Sequence, residues 1–201
     1  MLCVVTDRRG ADVLDQARRA AAAGIDLFQI RERDLEARAL ASLVSAVLDA
    51  VRRSRMRVVV NDRVDVALAC GADGVHLRAD SIGVADVRRL APRPFIVGRS
   101  VHSPDEAAAS AGADYLIAGT VFPTTSKPDA TSWLGVAGLR SVVQASPSPV
   151  LAIGGISRER FADVAAAGAA GVAAIALFAR GPLHDIVESA RRLFDSPEAH
   201  P

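Results

Sequence analysis

Val58-Val59-Val60-Asn61-Asp62 opens the stretch that decides the fold, and Gly71-Ala72-Asp73-Gly74-Val75-His76-Leu77 closes it. Each end contains a short apolar run rich in valine, which is typical of a buried strand in a parallel sheet. A segment of helical length begins near Val64, and Gly71 suits the left-handed position at which helices end. The stretch therefore predicts a strand–helix–strand unit.

Eight such apolar runs occur along the chain, and helix-length segments separate them. The phrase Gly71-Ala72-Asp73 recurs as Gly112-Ala113-Asp114 and is echoed by Gly168-Ala169-Ala170, which indicates one turn used repeatedly. Eight units predict a single (β/α)8 TIM barrel. An open doubly wound sheet is the alternative, but no Gly-x-Gly-x-x-Gly follows the first run. The runs are 2–6, 27–31, 58–61, 75–77, 95–101, 115–121, 150–153 and 172–177, and the predicted helices include 14–23, 37–53, 84–90 and 158–167.

Length and composition suit one domain with an aliphatic core. The 201 residues fit a small barrel, which we assign to residues 1–195, with 196–201 as a frayed tail. Half of the residues are hydrophobic but only 4% are aromatic, so Ala, Val, Leu and Ile must supply the core. The net charge of +1 gives no electrostatic case for binding nucleic acid or an anionic membrane.

Cysteine usage and the N-terminus favour a cytoplasmic protein. Cys3 and Cys70 have no Cys-x-x-Cys spacing and are expected to be buried free thiols. No apolar run reaches about 18 residues, so we expect no membrane span. The N-terminus begins directly with an apolar run, without the pattern of a signal peptide. Whether the chain forms a homo-oligomer is left open.

Polar side chains gather where the predicted strands end, which in a barrel is the mouth of the active site. Gln29, Arg31 and Arg33 share parity at the end of the second run, so two guanidiniums are expected to converge on an anionic group. The alternative is that the arginines form surface pairs with their acidic neighbours, which are Glu32, Asp34 and Glu36.

The third and fourth runs offer weaker candidates. Asn61 suits a ring nitrogen and Asp62 suits Mg²⁺ or a base, but both equally suit a cap for the next helix. His76 is in phase with Arg78, and a lone histidine in a strand is more often a core residue than a ligand.

The fifth run carries the candidate for proton transfer. Gly98, Ser100 and His102 share one face, so Ser100 and His102 should reach the mouth together. Histidine titrates near neutral pH, as general acid–base catalysis requires. The alternative is that His102 only caps the helix that starts near Pro104.

Two later connections complete the predicted site. The connection from Gly119 to Pro128 is long and hydroxyl-rich and contains the chain's only lysine, Lys127, which favours a lid over an anionic substrate rather than a plain surface loop. Gly154-Gly155 follows the seventh run, where barrels often bind phosphate through backbone amides.

Taken together these phrases resemble the thiamine phosphate synthase/TenI family over nearly the whole chain, from Val4 to about Phe178. The matching phrases are Phe28-Gln29-Ile30-Arg31-Glu32-Arg33, Val60-Asn61-Asp62-Arg63-Val64-Asp65, Ala72-Asp73-Gly74-Val75-His76-Leu77, Gly98-Arg99-Ser100-Val101-His102-Ser103, Phe122-Pro123-Thr124-Thr125-Ser126-Lys127 and Ile153-Gly154-Gly155-Ile156.

One branch of the family, the synthase, joins hydroxymethylpyrimidine diphosphate to a thiazole phosphate and releases pyrophosphate with Mg²⁺. The resemblance implies one group of residues at the pyrimidine, a second at the pyrophosphate, Asp62 on the metal, and backbone groups at the thiazole phosphate. The residues at the pyrimidine are Gln29, Asn61 and His76, with Ser100 lining the same site. Those at the pyrophosphate are Arg31, Arg33, Thr124, Ser126 and Lys127. Those at the thiazole phosphate are Gly155, Ile175 and Ala176.

This chain departs from the synthase pattern after His76. The synthase normally continues as Gly-Gln-Glu-Asp, and the last of these residues is a second Mg²⁺ carboxylate. Here the chain reads Arg78-Ala79-Asp80-Ser81, which puts Ser81 at that carboxylate position, with Asp80 as a neighbouring substitute.

The phrase from Gly98 to Ser103 resembles the other branch, TenI, more strongly than it resembles the synthase. We therefore expect a thiazole tautomerase. Such enzymes need no cofactor: they aromatise a carboxythiazole phosphate by proton transfer, and the resemblance makes His102 the catalytic residue. Arg31 and Arg33 would then hold the carboxylate, and Gly154 and Gly155 the phosphate. The synthase is the alternative, and a non-catalytic regulatory barrel that binds thiazole phosphate is a third hypothesis.

Overall fold

The computed structural model describes residues 1–124, 132–179 and 182–195. Its eight strands are all parallel and form a closed barrel in chain order, which confirms the predicted (β/α)8 TIM barrel. The strands are β1 (Leu2–Val5), β2 (Leu27–Ile30), β3 (Arg57–Asn61), β4 (Gly74–Leu77), β5 (Ile96–Val101), β6 (Tyr115–Gly119), β7 (Val150–Ile153) and β8 (Gly171–Ala174).

Helices follow the strands and cover the outside of the barrel. They are α1 (Val13–Ala22), α2 (Ala37–Val51), α3 (Val64–Cys70), α4 (Val84–Leu90), α5 (Pro104–Ala108), α6 (Gly135–Ala145), α7 (Phe161–Ala166), α8 (Ala176–Ala179) and α9 (Leu183–Phe194), with a 3₁₀ turn at Arg158–Arg160 before α7. No helix within the described ranges is long and apolar enough to cross a membrane.

Alternation along the strands separates two apolar layers. In β1, Leu2 and Val4 pack into the layer between barrel and helices, whereas Cys3 and Val5 point into the barrel with side chains such as Ile117. Full burial raises the pKa of the Cys3 thiol to about 12, which makes it an inert core residue. Both cysteines are free.

Two expectations about local structure need correction. The apolar run 172–177 is not one strand: β8 ends at Ala174 and α8 begins at Ala176, because three apolar residues fit either element and periodicity cannot separate them. Cys70 is only half-buried rather than a core thiol, since it lies at the end of α3 with Sγ 3.6 Å from the carbonyl of Ala41.

The repeated Gly-x-Asp turns join the helices to alternate strands at the amino end of the barrel. Gly71 adopts the left-handed conformation with φ 69°, and two residues later Asp73 accepts a 2.8 Å hydrogen bond from the amide of Val58 on the preceding strand. Asp26 and Asp114 accept from Leu2 at 2.6 Å and Val97 at 2.7 Å in the same way. These hydrogen bonds tie each turn to the neighbouring strand at the amino end of the barrel and so fix the strand register.

Candidate functional site

A cavity of about 660 Å³ opens at the carboxyl ends of the strands. Twelve of the fifteen site residues expected from the sequence line it, which brings together side chains from distant parts of the chain. They are Gln29, Arg31, Arg33, Asn61, His76, Ser100, His102, Thr124, Gly154, Gly155, Ile175 and Ala176.

Of the three other expected residues, one lines a neighbouring pocket and two lie outside the residues that the structure describes. Asp62 lines a smaller neighbouring pocket of about 160 Å³, which shares Arg33, Asn61 and Arg78 with the main cavity. Ser126 and Lys127 fall outside the described residues.

The arginines at the end of β2 face the cavity because other cations hold their acidic neighbours. Glu32 is buried, accepts from the Thr6 hydroxyl at 2.5 Å, and lies 3.7 Å from Arg8 Nε. Asp34 accepts a 2.6 Å bond from Arg8 Nη2. Surface pairing of Arg31 and Arg33 with Glu32, Asp34 or Glu36 is therefore wrong: neither arginine forms an ion pair with a described residue.

The surroundings of Arg31 make this part of the cavity electropositive. Burial, and then the positive charge of Arg33, lower the pKa of Arg31, with Arg78 adding to the effect and Asp7 and Glu32 opposing it. The backbone amide of Arg31 donates to Thr6 Oγ1 at 2.9 Å, which ties the residue to β1. A guanidinium that is partly desolvated among other cations gains most from an anionic ligand.

A buried polar chain lies on the floor of the cavity. His76 Nδ1 is 3.1 Å from the hydroxyl of Tyr115, and Nε2 is 2.9 Å from Ser100 Oγ. Gly98 makes room for this arrangement, because a Cβ there would lie 2.2 Å from the Tyr115 ring. Burial, and secondarily the charge of Arg31, lower the pKa of His76 to about 3. His76 is thus a neutral, satisfied core histidine that also lines the cavity.

Gln29 is the one cavity residue with an unsatisfied buried donor among those described. Its side chain is only 3% exposed, and Nε2 has no hydrogen-bond partner. Such a group is costly unless a ligand supplies an acceptor. It marks where a polar atom of a bound molecule would lie.

His102 lines the cavity and does not cap the helix that follows it. Ser103 is the N-cap of α5, accepting from the amide of Glu106, so His102 is not the cap. The ring Nδ1 of His102 contacts the carbonyl oxygen of Gly119. Since a carbonyl can only accept, Nδ1 carries a proton and Nε2 of the neutral ring carries the lone pair.

Glycines allow two loops to meet beside the cavity. Gly155 has φ 63°, and a Cβ there would lie 2.4 Å from the carbonyl oxygen of Pro123 and 2.8 Å from Phe122. Gly154 has φ 98° and would clash with Thr120. Without side chains, Gly154 and Gly155 present only backbone to the cavity, which Ile175 and Ala176 also line.

The donors around Asp62 do not fit a preformed Mg²⁺ site. One carboxylate oxygen of Asp62 accepts from the Ser81 hydroxyl, and the other lies 3.5 Å from Arg78 Nη1. Asp80 does not replace the missing carboxylate, since it pairs with Arg78 Nη2 and is 67% exposed. Within the described ranges no three acidic, histidine or cysteine side chains cluster as a metal site. Neither Asn61 nor Asp62 caps α3, whose N-cap is Arg63.

Sequence reasoning gave no binding role to two further charged residues of the cavity, Asp7 and Arg78, and considered Asp80 only as a substitute metal ligand. Arg78 carried a usable signal, because it is in phase with the inward-facing His76 at the end of β4. Asp7 and Asp80 follow their strands in irregular connections, where alternation gives no prediction.

Comparisons with known proteins give a family match and relatives over nearly the whole chain. The family model described as thiamine monophosphate synthase matches residues 2–178. A thiamine-phosphate synthase of Methanoregula boonei is 44% identical over 197 residues, covering 96% of this chain and 90% of that protein. One of Methanoculleus marisnigri is also 44% identical, covering 96% and 93%.

A solved structure shows the same architecture. A thiamine phosphate pyrophosphorylase from Pyrococcus furiosus superposes with a TM-score of 0.84 at 34% identity, covering 98% of this chain and 96% of that one. The stronger resemblance to the tautomerase branch stays a prediction, because these relatives carry the synthase name. The chain belongs to the thiamine monophosphate synthase (TMP-TenI) family of thiamine biosynthesis.

Proposed function

We propose that this protein is a thiamine phosphate synthase, which condenses hydroxymethylpyrimidine diphosphate with a thiazole phosphate and releases diphosphate. The observation that carries the proposal is that one cavity presents two separate sets of anion-binding groups. Arginines gather at the ends of β2 and β4, and the cavity is lined at the ends of β7 and β8 by Gly154, Gly155, Ile175 and Ala176. Two such sets suit two anionic substrates.

The charge on the arginine side favours diphosphate over a carboxylate. Arg31, Arg33 and Arg78 all line the cavity, whereas one carboxylate needs only one bidentate guanidinium. The relatives named thiamine-phosphate synthase point the same way.

Each group has a role in the proposed reaction. The bond between the pyrimidine methylene carbon and the diphosphate oxygen breaks as the thiazole nitrogen bonds to that carbon. Arg31 and Arg33 stabilise the negative charge that develops on the leaving oxygen. Gln29 Nε2 donates to the pyrimidine, with Asn61 beside it, and the amides near Gly155 hold the thiazole phosphate. The donors around Asp62 do not form a site for Mg²⁺.

The tautomerase is a second candidate, favoured by the geometry of His102. The contact from Nδ1 to the Gly119 carbonyl leaves Nε2 as the proton acceptor. In that role His102 would take the proton from the thiazole ring and deliver one to the exocyclic carbon, with no metal.

A paired assay of the purified protein separates the two candidates. In the first arm the pyrimidine diphosphate and thiazole phosphate are supplied with and without Mg²⁺, and thiamine phosphate is measured. In the second arm the dearomatised thiazole is supplied without metal, and its aromatisation is followed. We expect thiamine phosphate in the first arm, with kcat/KM lowered about 10- to 100-fold in Arg33→Ala. It should be unchanged in the control Arg89→Ala, which removes an exposed charge on α4 outside the cavity lining.

Other outcomes assign the alternatives. Aromatisation without condensation, lost in His102→Ala, would replace the synthase with the tautomerase. Binding of thiazole phosphate without either activity would favour the non-catalytic regulatory barrel.

A further inference from the structure

The Arg78 guanidinium bridges two carboxylates at the edge of the cavity. Its Nη1 lies 3.5 Å from Asp62 Oδ2, and its Nη2 contacts Asp80 Oδ2. A cation shared by two carboxylates from neighbouring strand ends is the arrangement that a divalent ion would otherwise take. Here the chain itself supplies the cation.

The position of Arg78 is fixed from both sides of its loop. Ser81 Oγ accepts from the backbone amide of Arg78 at 3.0 Å and donates to Asp62. Arg99 donates to the carbonyls of Ala79 at 2.7 Å and Ile82 at 3.0 Å. The connection after β4 is therefore held in one shape, with Arg78 placed before any ligand arrives.

Arg78 also belongs to the electropositive side of the cavity. It lines the cavity together with Arg31 and Arg33, and its charge contributes to the lowered pKa of Arg31. Three guanidiniums near each other repel unless anions lie between them. A bound diphosphate would supply that negative charge.

The present partners of Arg78 can yield to a ligand at little cost. The Asp80 side chain is 67% exposed and that of Arg78 is 42% exposed, and ion pairs at such exposure contribute little free energy. Nη2 can thus move from Asp80 to a phosphate oxygen, while Asp62 keeps Nη1 oriented.

We propose that Arg78 is a diphosphate-binding residue that acts as a built-in cation between Asp62 and Asp80, so that this protein binds diphosphate without a divalent metal. The inference rests on the proposed function for its biological ligand. It assigns to a residue of this chain the charge compensation that the resemblance gives to Mg²⁺ on two carboxylates.

Isothermal titration with inorganic diphosphate in EDTA tests the inference without any assay of catalysis. We expect the wild-type protein to bind in EDTA and Arg78→Gln to bind about 10- to 100-fold more weakly. Arg78→Lys should bind with an affinity between those of the wild type and Arg78→Gln, because it keeps the charge but loses the bidentate guanidinium. Arg89→Ala removes an exposed arginine on α4 and should bind as the wild type does.

Titration of Mg²⁺ gives a second readout. Without the guanidinium, Asp62 and Asp80 are released, so Mg²⁺ should restore part of the diphosphate affinity of Arg78→Gln and change that of the wild type by less than about threefold. Circular dichroism of each variant checks that it is folded. If Arg78→Gln does not fold, the diphosphate affinity of Arg78→Lys in EDTA tests the proposal instead.

The inference is overturned if the wild type binds diphosphate only with Mg²⁺, or if both Arg78 variants bind in EDTA as tightly as the wild type. Failure of the proposed function is distinguishable: thiamine phosphate would not form, while Arg78-dependent binding of inorganic diphosphate would remain.

Discussion

At the amino end of the barrel, the carboxylates of Asp26, Asp73 and Asp114 each accept from a strand amide and from at least one arginine. At the carboxyl mouth, Arg31 and Arg33 form no ion pair with a described residue, and Gln29 Nε2 has no partner. The three carboxylates at the amino end are thus satisfied by the protein, whereas Arg31, Arg33 and Gln29 at the mouth are left available.

This difference separates groups that hold the fold from groups that await a ligand. Protein partners at the amino end convert polar side chains into register-fixing contacts, which contribute to the free energy of unfolding. Groups at the mouth keep their hydrogen-bonding capacity at a cost to stability. Substitutions at the two ends should therefore change different measurements.

The largest effect of a substitution on stability at neutral pH is expected from Asp114→Ala at the amino end. It leaves the Val97 amide without its acceptor and the Arg88 guanidinium without its carboxylate partner, so that Arg88 keeps only the carbonyls of Gly112 and Phe95. Both side chains of the Arg88–Asp114 pair are less than 20% exposed. The free energy of unfolding should fall by about 2–4 kcal/mol, measured by urea denaturation.

Glu188→Ala is the control for Asp114→Ala. It breaks an exposed pair with Arg192 on α9 and should change the urea midpoint little. Equal losses in the two variants would contradict the special role of the amino-end turns. Diphosphate binding by folded Asp114→Ala should match the wild type.

The second effect is a pH dependence that originates at the mouth. Because burial and the Arg31 charge lower the pKa of His76 to about 3, the unfolded chain takes up a proton near pH 6.5 that the folded chain does not. More protons on the unfolded state mean that stability rises with pH, so this histidine makes it fall as the pH drops from about 6.5 towards 3, by up to about 1.4 kcal/mol per unit.

Urea denaturation of the wild type and His76→Gln at several pH values below 6.5 measures this contribution. The variant should lose less stability per pH unit than the wild type. Parallel curves would mean that His76 is protonated in the folded protein and is not the neutral residue described above.

Much of this contrast was predictable from the sequence. Eight apolar runs separated by helix-length segments predicted the barrel, and the recurring phrase at Gly71 and Gly112 indicated a repeated turn. Strand parity predicted that Arg31 and Arg33 face the mouth, as do Ser100 and His102. These signals are local: a period of two along a strand and a glycine at a helix end.

What the sequence did not predict depends on residues that meet only in the folded chain. Arg78 and Asp62 come from successive strand ends, and nothing in the spacing says that a guanidinium bridges Asp62 and Asp80. The end of β8 at Ala174 was missed for a different reason, because Ile175-Ala176-Leu177 is apolar in either a strand or a helix.

A third, smaller effect tests the missing carboxylate at the mouth. Ser81→Asp removes the hydroxyl that donates to Asp62 and puts a second negative charge beside it. In EDTA the free energy of unfolding should fall by about 1–2 kcal/mol. Mg²⁺ should raise the melting temperature of Ser81→Asp by binding its folded form, and should not raise that of the matched uncharged variant Ser81→Asn.

If Mg²⁺ raises the melting temperature of the wild type as much as that of Ser81→Asp, the donors already present around Asp62 hold the ion. If it affects neither, the loop after β4 does not bring position 81 close enough to Asp62 to share a metal.

The smallest effect on stability is expected from Gln29→Leu. Its change in the free energy of unfolding should be near zero or positive, whereas that of Asp114→Ala should be negative. The variant replaces a 97% buried side chain whose Nε2 has no partner with an apolar one of similar size. The free energy of unfolding should stay the same or rise by up to about 1 kcal/mol, because an unsatisfied buried donor disappears. Condensation should nevertheless fall about tenfold or more in kcat/KM, since the pyrimidine loses its donor. A Gln29→Leu protein that loses stability like Asp114→Ala would show that Gln29 already has a partner in the free protein and that the two ends of the barrel do not differ in this way.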